Sequence, residues 1–138
     1  MEETQQFDLK KLTLLNKIGS GSFGEVYRAK DNETGDIYAA KISLSSLDDI
    51  EDSEDALQNL SREVNIMAKL NHPCILKFIG FCKTAFNGEP QPVIITEFIS
   101  KGSLENLILL ERQSLADKKW NDTQKLITIY GIAAAMSY

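Results

Sequence analysis

The chain has 138 residues, of which 43% are hydrophobic, 25% charged and 8% aromatic, with a formal net charge of −5. That composition allows a packed core and excludes a chain that is disordered throughout. Two cysteines and one histidine give neither a disulfide framework nor a zinc cluster, and no basic patch supplies the electrostatic footprint of a nucleic-acid binder.

Met1 to Gln6 lacks the basic and apolar regions of a signal peptide, and Glu2 stands where N-myristoylation would need glycine. A cytoplasmic protein that does not engage a membrane is therefore expected, with residues 1–10 as an N-terminal extension. Leu12 to Ile18 is β-like and runs into Ile18-Gly19-Ser20-Gly21-Ser22-Phe23-Gly24-Glu25-Val26. A lone Gly-x-Gly-x-x-Gly fits a hairpin turn, a dinucleotide-binding turn or a phosphate-covering flap. The context separates them. Glu25 to Lys30 has strand period, Asp31 to Asp36 is a polar turn, and Ile37 to Leu44 is another strand. Strand, glycine turn, strand, turn, strand argues against a dinucleotide-binding unit, in which a helix follows the last glycine. It favours a flap whose backbone N–H groups approach phosphate oxygens because no side chains intervene.

On the third strand, alternation puts Ile37, Ala39 and Lys41 on one face and Tyr38, Ala40 and Ile42 on the other. Ala39 is small enough for a flat base to lie against it, and the Lys41 ammonium shares its face. A snorkelling surface lysine is the plainer alternative. Asp48 to Asp55 contains six acids in eight residues, without which the net charge would be +1 rather than −5. A solvated loop leading into a helix N-terminus accounts for that run, and a docking site for a basic partner is the other reading. Asp55 to Leu70 has Leu57, Leu60, Val64 and Met67 at helical spacing, with Glu63 at the margin of that stripe. A carboxylate there is either solvated or paired, and Lys41 is the candidate partner.

These residues resemble the eukaryotic protein-kinase superfamily, and within it the tyrosine-kinase-like and tyrosine kinases. The resemblance continues through Asn71-His72-Pro73-Cys74-Ile75-Leu76-Lys77-Phe78-Ile79-Gly80-Phe81-Cys82, similar to the loop and fourth strand after the family's C helix. Pro92 to Ile99 resembles the fifth strand and hinge, Ser100 to Leu104 the linker into the D helix, and Trp120 to Tyr138 the start of the E helix. It implies an α+β fold: a small lobe of five antiparallel strands plus a C helix and hinge over residues 11–99. Residues 100–138 would then be the first helices of an incomplete large lobe. His72, before Pro73, reads as a structural turn.

Carried over by residue, the resemblance implies that Ile18, Val26 and Ala39 sandwich adenine, and that Gly19, Gly21 and Gly24 let the flap approach the phosphates. Lys41 would hold the α- and β-phosphates, with Glu63 orienting it. Backbone groups of Glu97 and Ile99 would bind the adenine edge, with Thr96 as gatekeeper. Met67 and Phe78 match an internal spine or plain core. Where the family pattern has Val-Ala-Ile-Lys, this chain has Tyr38-Ala39-Ala40-Lys41, and the interval from Lys41 to Glu63 is longer than in many relatives.

The implied ligand is ATP, with Mg2+ expected only in a complete kinase and no metal site here. The family's His-Arg-Asp loop and Asp-Phe-Gly segment do not occur in these residues. The expectation is an ATP-binding portion that is catalytically incomplete as given. The alternatives are a non-catalytic, pseudokinase-like scaffold engaging protein partners, or a decayed reading frame. Leu126, Ile127, Ile129, Ile132 and Met136 lie in an apolar stretch too short to span a bilayer. Left exposed, they would forgo roughly 7–15 kcal/mol of burial. Residues after about Gly102 are therefore expected to be loosely held, to dock on a protein partner that covers the helix, or to belong to a longer chain.

Overall fold

The computed structural model describes residues 6–22, 24–44 and 53–138, and for 53–60 only the helical backbone. Two units result. The first comprises the residues up to Asn71 together with Leu76–Phe98, and the second comprises His72–Ile75 with Ile99–Tyr138. The acidic run from Asp48 to Asp52, Phe23, and the side chains of Leu57 and Leu60 lie outside the described residues.

The first unit is a five-stranded antiparallel sheet of β1 (Leu12–Gly21), β2 (Gly24–Asp31), β3 (Ile37–Ser43), β4 (Phe78–Cys82) and β5 (Val93–Glu97), in the order β1-β2-β3-β5-β4. Helix α1 (Ser53–Lys69) joins β3 to β4 and packs on β4. The expected small-lobe fold is therefore present.

The β2–β3 hairpin is set by its turn. Asp31 Oδ1 accepts the N–H groups of Glu33 (2.8 Å) and Thr34 (3.0 Å), and Gly35 supplies a φ of 80°. Period-2 alternation then decides the faces. Leu12, Ala29, Ala40, Val93 and Ile95 share one buried cluster with Ala85, and Tyr38 and Ile42 pack against it. The roof of that cluster comes partly from before β1. Phe7 donates its N–H to the Phe81 carbonyl (2.7 Å) at the β4 edge. A 3-10 turn at Leu9–Lys11, capped by the Asp8 carboxylate, then leads into β1 at the opposite edge. Phe7 and Leu9 pack on the cluster from this strap. The other face carries fully buried Phe81 on β4, and α1 contributes fully buried Val64.

In the second unit, α2 (Leu104–Arg112) and α3 (Asp122–Met136) are both capped, Ser103 accepting the Asn106 N–H and Asn121 that of Gln124. Glu111 ties them together by accepting from Lys125 and from Trp120 Nε1. Neither helix buries a residue fully. Leu126 is 67% exposed and Met136 84%, and Ile127, Ile129 and Ile132 are exposed as well. The apolar stretch is thus a helix with its apolar side chains uncovered. No described helix is long and apolar enough to cross a membrane.

Candidate nucleotide site

The sheet face opposite the buried cluster is defined by cross-strand register, since directly opposed residues in an antiparallel pair point the same way. Gly19 faces Val26, Val26 faces Lys41, and Lys41 faces Ile94, which makes one row. Arg28, Ala39, Thr96 and Phe78 make the next. The sheet therefore brings Gly19, Val26, Ala39, Lys41 and Thr96 together on one face.

The glycines differ in why they are glycine. Gly24 has a φ of 156°, and a Cβ there would collide with the Ile42 carbonyl. Its identity is dictated by the close approach of β3. Gly21 has ordinary φ, and a Cβ would meet nothing within 4 Å. At Gly19 a Cβ would touch only Val26, at an ordinary 3.9 Å. Among the described residues, neither strain nor crowding demands glycine at those two positions, and the space beside them is open.

Ile18 lies where the β1–β2 pairing slips, between Lys17 opposite Tyr27 and Gly19 opposite Val26, and it is exposed. A bulge residue escapes strict alternation, so its face does not follow from sequence spacing.

At the end of β5, Thr96 is buried and its hydroxyl donates to the Glu97 carbonyl at 3.2 Å. Glu97 is held twice by Lys77: its N–H donates to the Lys77 carbonyl (3.0 Å) and its carboxylate accepts the Lys77 N–H (2.7 Å). The Glu97 amide is therefore committed within the protein, and its carbonyl, with a second lone pair, is the group left to meet a ligand. Ile99 is exposed and belongs to the second unit.

Glu63 is exposed on α1, one residue from fully buried Val64. The ion pairs among the described residues are Lys17–Glu25 and Lys125 with Glu111 and Asp122, so the expected Lys41–Glu63 pair is not formed here. Val64 is turned inward while the Glu63 carboxylate stays in solvent.

Arg28 was not anticipated. Its guanidinium sits 5.2 Å from the centre of the Phe98 ring, Asn16 accepts from it at 3.4 Å, and its Nε is buried without a protein partner. Continuing the alternation from Val26 would have placed it beside Ala39. Among the described residues no group of three His, Cys, Asp or Glu is placed to hold a metal ion. A cavity of about 840 Å³ between the strap and the loop after β4, lined by Phe7, Leu9, Cys82 and Phe86, is separate from this face.

The family model for protein tyrosine and serine/threonine kinases matches residues 12–138. Human serine/threonine-protein kinase TNNI3K is 37% identical over 124 residues, covering 88% of this chain and 13% of the relative. Serine/threonine-protein kinase CTR1 of Arabidopsis thaliana is 34% identical over 127 residues, covering 92% and 14% respectively. Human dual specificity testis-specific protein kinase 2 is 34% identical over 122 residues, covering 88% and 18%. The chain thus spans 10% to 18% of the length of such relatives. With the small-lobe sheet and its glycine turn in place, the chain belongs to the protein tyrosine and serine/threonine kinase family, and it carries the N-terminal part of the kinase domain.

Proposed function

We propose that the Gly19–Val26–Lys41 face is the small-lobe half of an ATP site, serving phosphoryl transfer to protein side chains in the complete domain. The observation that carries this reading is the pair of glycines, Gly19 and Gly21, whose identity neither φ nor packing explains, on the flap beside Lys41. Phosphate oxygens reach backbone N–H groups only where side chains are missing. In this reading Ile18, Val26 and Ala39 cover the adenine, and Gly19, Gly21 and Gly24 cover the phosphates. Lys41 binds the α- and β-phosphates, oriented by Glu63 once α1 rotates to bring them together. Thr96 borders the base, and the Glu97 carbonyl and Ile99 amide take its edge. Magnesium belongs to the complete kinase.

Titration with ATP and Mg2+ while following thermal unfolding tests this. A rise in Tm that vanishes in Lys41→Ala supports it, whereas an equal rise in both proteins, or none, refutes it.

A second role is favoured by the exposed side chains of α3. Residues 12–138 contain no His-Arg-Asp loop and no Asp-Phe-Gly segment. In that reading these residues contribute binding rather than transfer, as part of a cytoplasmic, pseudokinase-like scaffold whose α3 is covered by a protein partner. Leu126→Lys with Ile129→Lys should then abolish partner-dependent protection of α3 in hydrogen exchange. Persistence of that protection would refute the covering role.

A further inference from the structure

The β1–β2 hairpin carries the glycine turn, yet little in it fixes how its strands pair. Leu12 and half-buried Leu14 pack with the core, but β1 buries no side chain after them, so burial does not select a register in the half that leads to the glycine turn. The pairing also slips twice, between Leu14 and Lys17 and between Lys17 and Gly19, each time with one extra residue on β1. An extra residue reverses the face of everything that follows it. The second slip is what puts Gly19 opposite Val26, in the row that contains Lys41.

Lys17 sits between the two slips. Its Nζ donates to Glu25 Oε1 at 2.7 Å, and Glu25 Oε2 accepts from the Tyr27 hydroxyl at 2.7 Å. Tyr27 is the cross-strand partner of Lys17, so Glu25, by accepting from both, links the two strands beside the bulge. The other side-chain links between the hairpin's limbs, Thr13 to Asn32 and Arg28 to Asn16, are farther from the glycine turn. The charges agree with the geometry. The Lys17 hydrogen bond, then that of Tyr27, holds the Glu25 carboxyl below its ordinary range, and Glu25 raises Lys17.

We propose that Lys17, Glu25 and Tyr27 form a register clamp for the glycine flap. It holds the bulge that turns Gly19 toward the Lys41 row, which makes Lys17 and Glu25 positioning residues for the nucleotide. That last role rests on the ATP-site reading, whereas the clamp itself does not. A slip of one residue would present Ile18 or Ser20 where Gly19 now stands.

The test compares wild type, Glu25→Gln, Lys17→Met and the swapped double variant Lys17→Glu/Glu25→Lys. Two readouts are needed: amide hydrogen exchange in β1 and β2 without nucleotide, and affinity for adenylyl imidodiphosphate with Mg2+. An exposed ion pair predicts exchange faster, and affinity weaker, by roughly two- to fivefold in each single variant. The swap restores both, and raising the salt shrinks the differences. Unchanged exchange in both single variants overturns the clamp. Unchanged affinity, in a wild type that binds, overturns the positioning role. Faster exchange restored by the swap, with no nucleotide bound by wild type, upholds the clamp and refutes the ATP-site reading instead.

Discussion

Ala39 and Ala40 are consecutive residues of one strand and small for opposite reasons. Ala40 is fully buried among Ala29, Val93 and Ile95, where the strap and the loop after β4 close over it. Ala39 stays half-exposed on the face with Val26 and Lys41, beside a flap whose Gly21 has open space where a Cβ would be. On the first face, small residues record crowding by the chain's own side chains. On the second, in the proposed ATP-site reading, they leave room for a nucleotide. Burial, rather than residue type, tells the two apart.

The sharpest way to break this contrast is to attack the crowded face. Ile95→Ala should cost about 2–5 kcal/mol in chemical denaturation, as for other fully buried aliphatic residues. A cost comparable with that of an exposed site would mean that the cluster is not the core. The two alanines can then be compared directly. Ala40→Leu should cost about 1–3 kcal/mol by overpacking, whereas Ala39→Leu should leave unfolding unchanged and abolish ATP-dependent stabilisation. Equal effects on stability would erase the distinction between the faces.

The glycines give a finer version. Gly24→Ala should destabilise by about 1–3 kcal/mol, from its backbone conformation and the Ile42 carbonyl. Gly21→Ala should stay within about 0.5 kcal/mol of wild type while weakening nucleotide binding.

The smallest effect is acid sensitivity. Asp31 is held below its ordinary range by the Thr34 and then the Glu33 N–H groups, and Glu25 by Lys17 and then Tyr27. Their contribution is present above the ordinary carboxylate range and is lost as pH falls through the lowered values. Asp31→Asn should therefore flatten the acid limb of a stability profile, and an unchanged limb would show that the turn carries none of it.

Much of this was readable in advance because period-2 patterns fix faces. Tyr38, Ala40 and Ile42 do pack with the core, opposite Ala39 and Lys41. Helix spacing is less informative. It put Glu63 beside Val64, but a stripe of apolar residues does not say how far a helix is rotated on its sheet. The β1 bulges were not readable either, because a slip depends on both strands at once. Arg28 escaped notice because an arginine on a strand has an ordinary explanation in solvent. The uncovered state of α3 was legible as a need for cover, since Leu126, Ile127, Ile129, Ile132 and Met136 were expected to want a partner, and the structure leaves them exposed.

The strap has a practical consequence. The likeness to other kinases starts at Leu12, yet Phe7 and Leu9 pack on the core and Phe7 is hydrogen-bonded to the far edge strand. A polypeptide trimmed to the matched boundary at Leu12 would lose part of its roof and bare an edge to self-association. Here the unit of ancestry is shorter than the unit that must be made together.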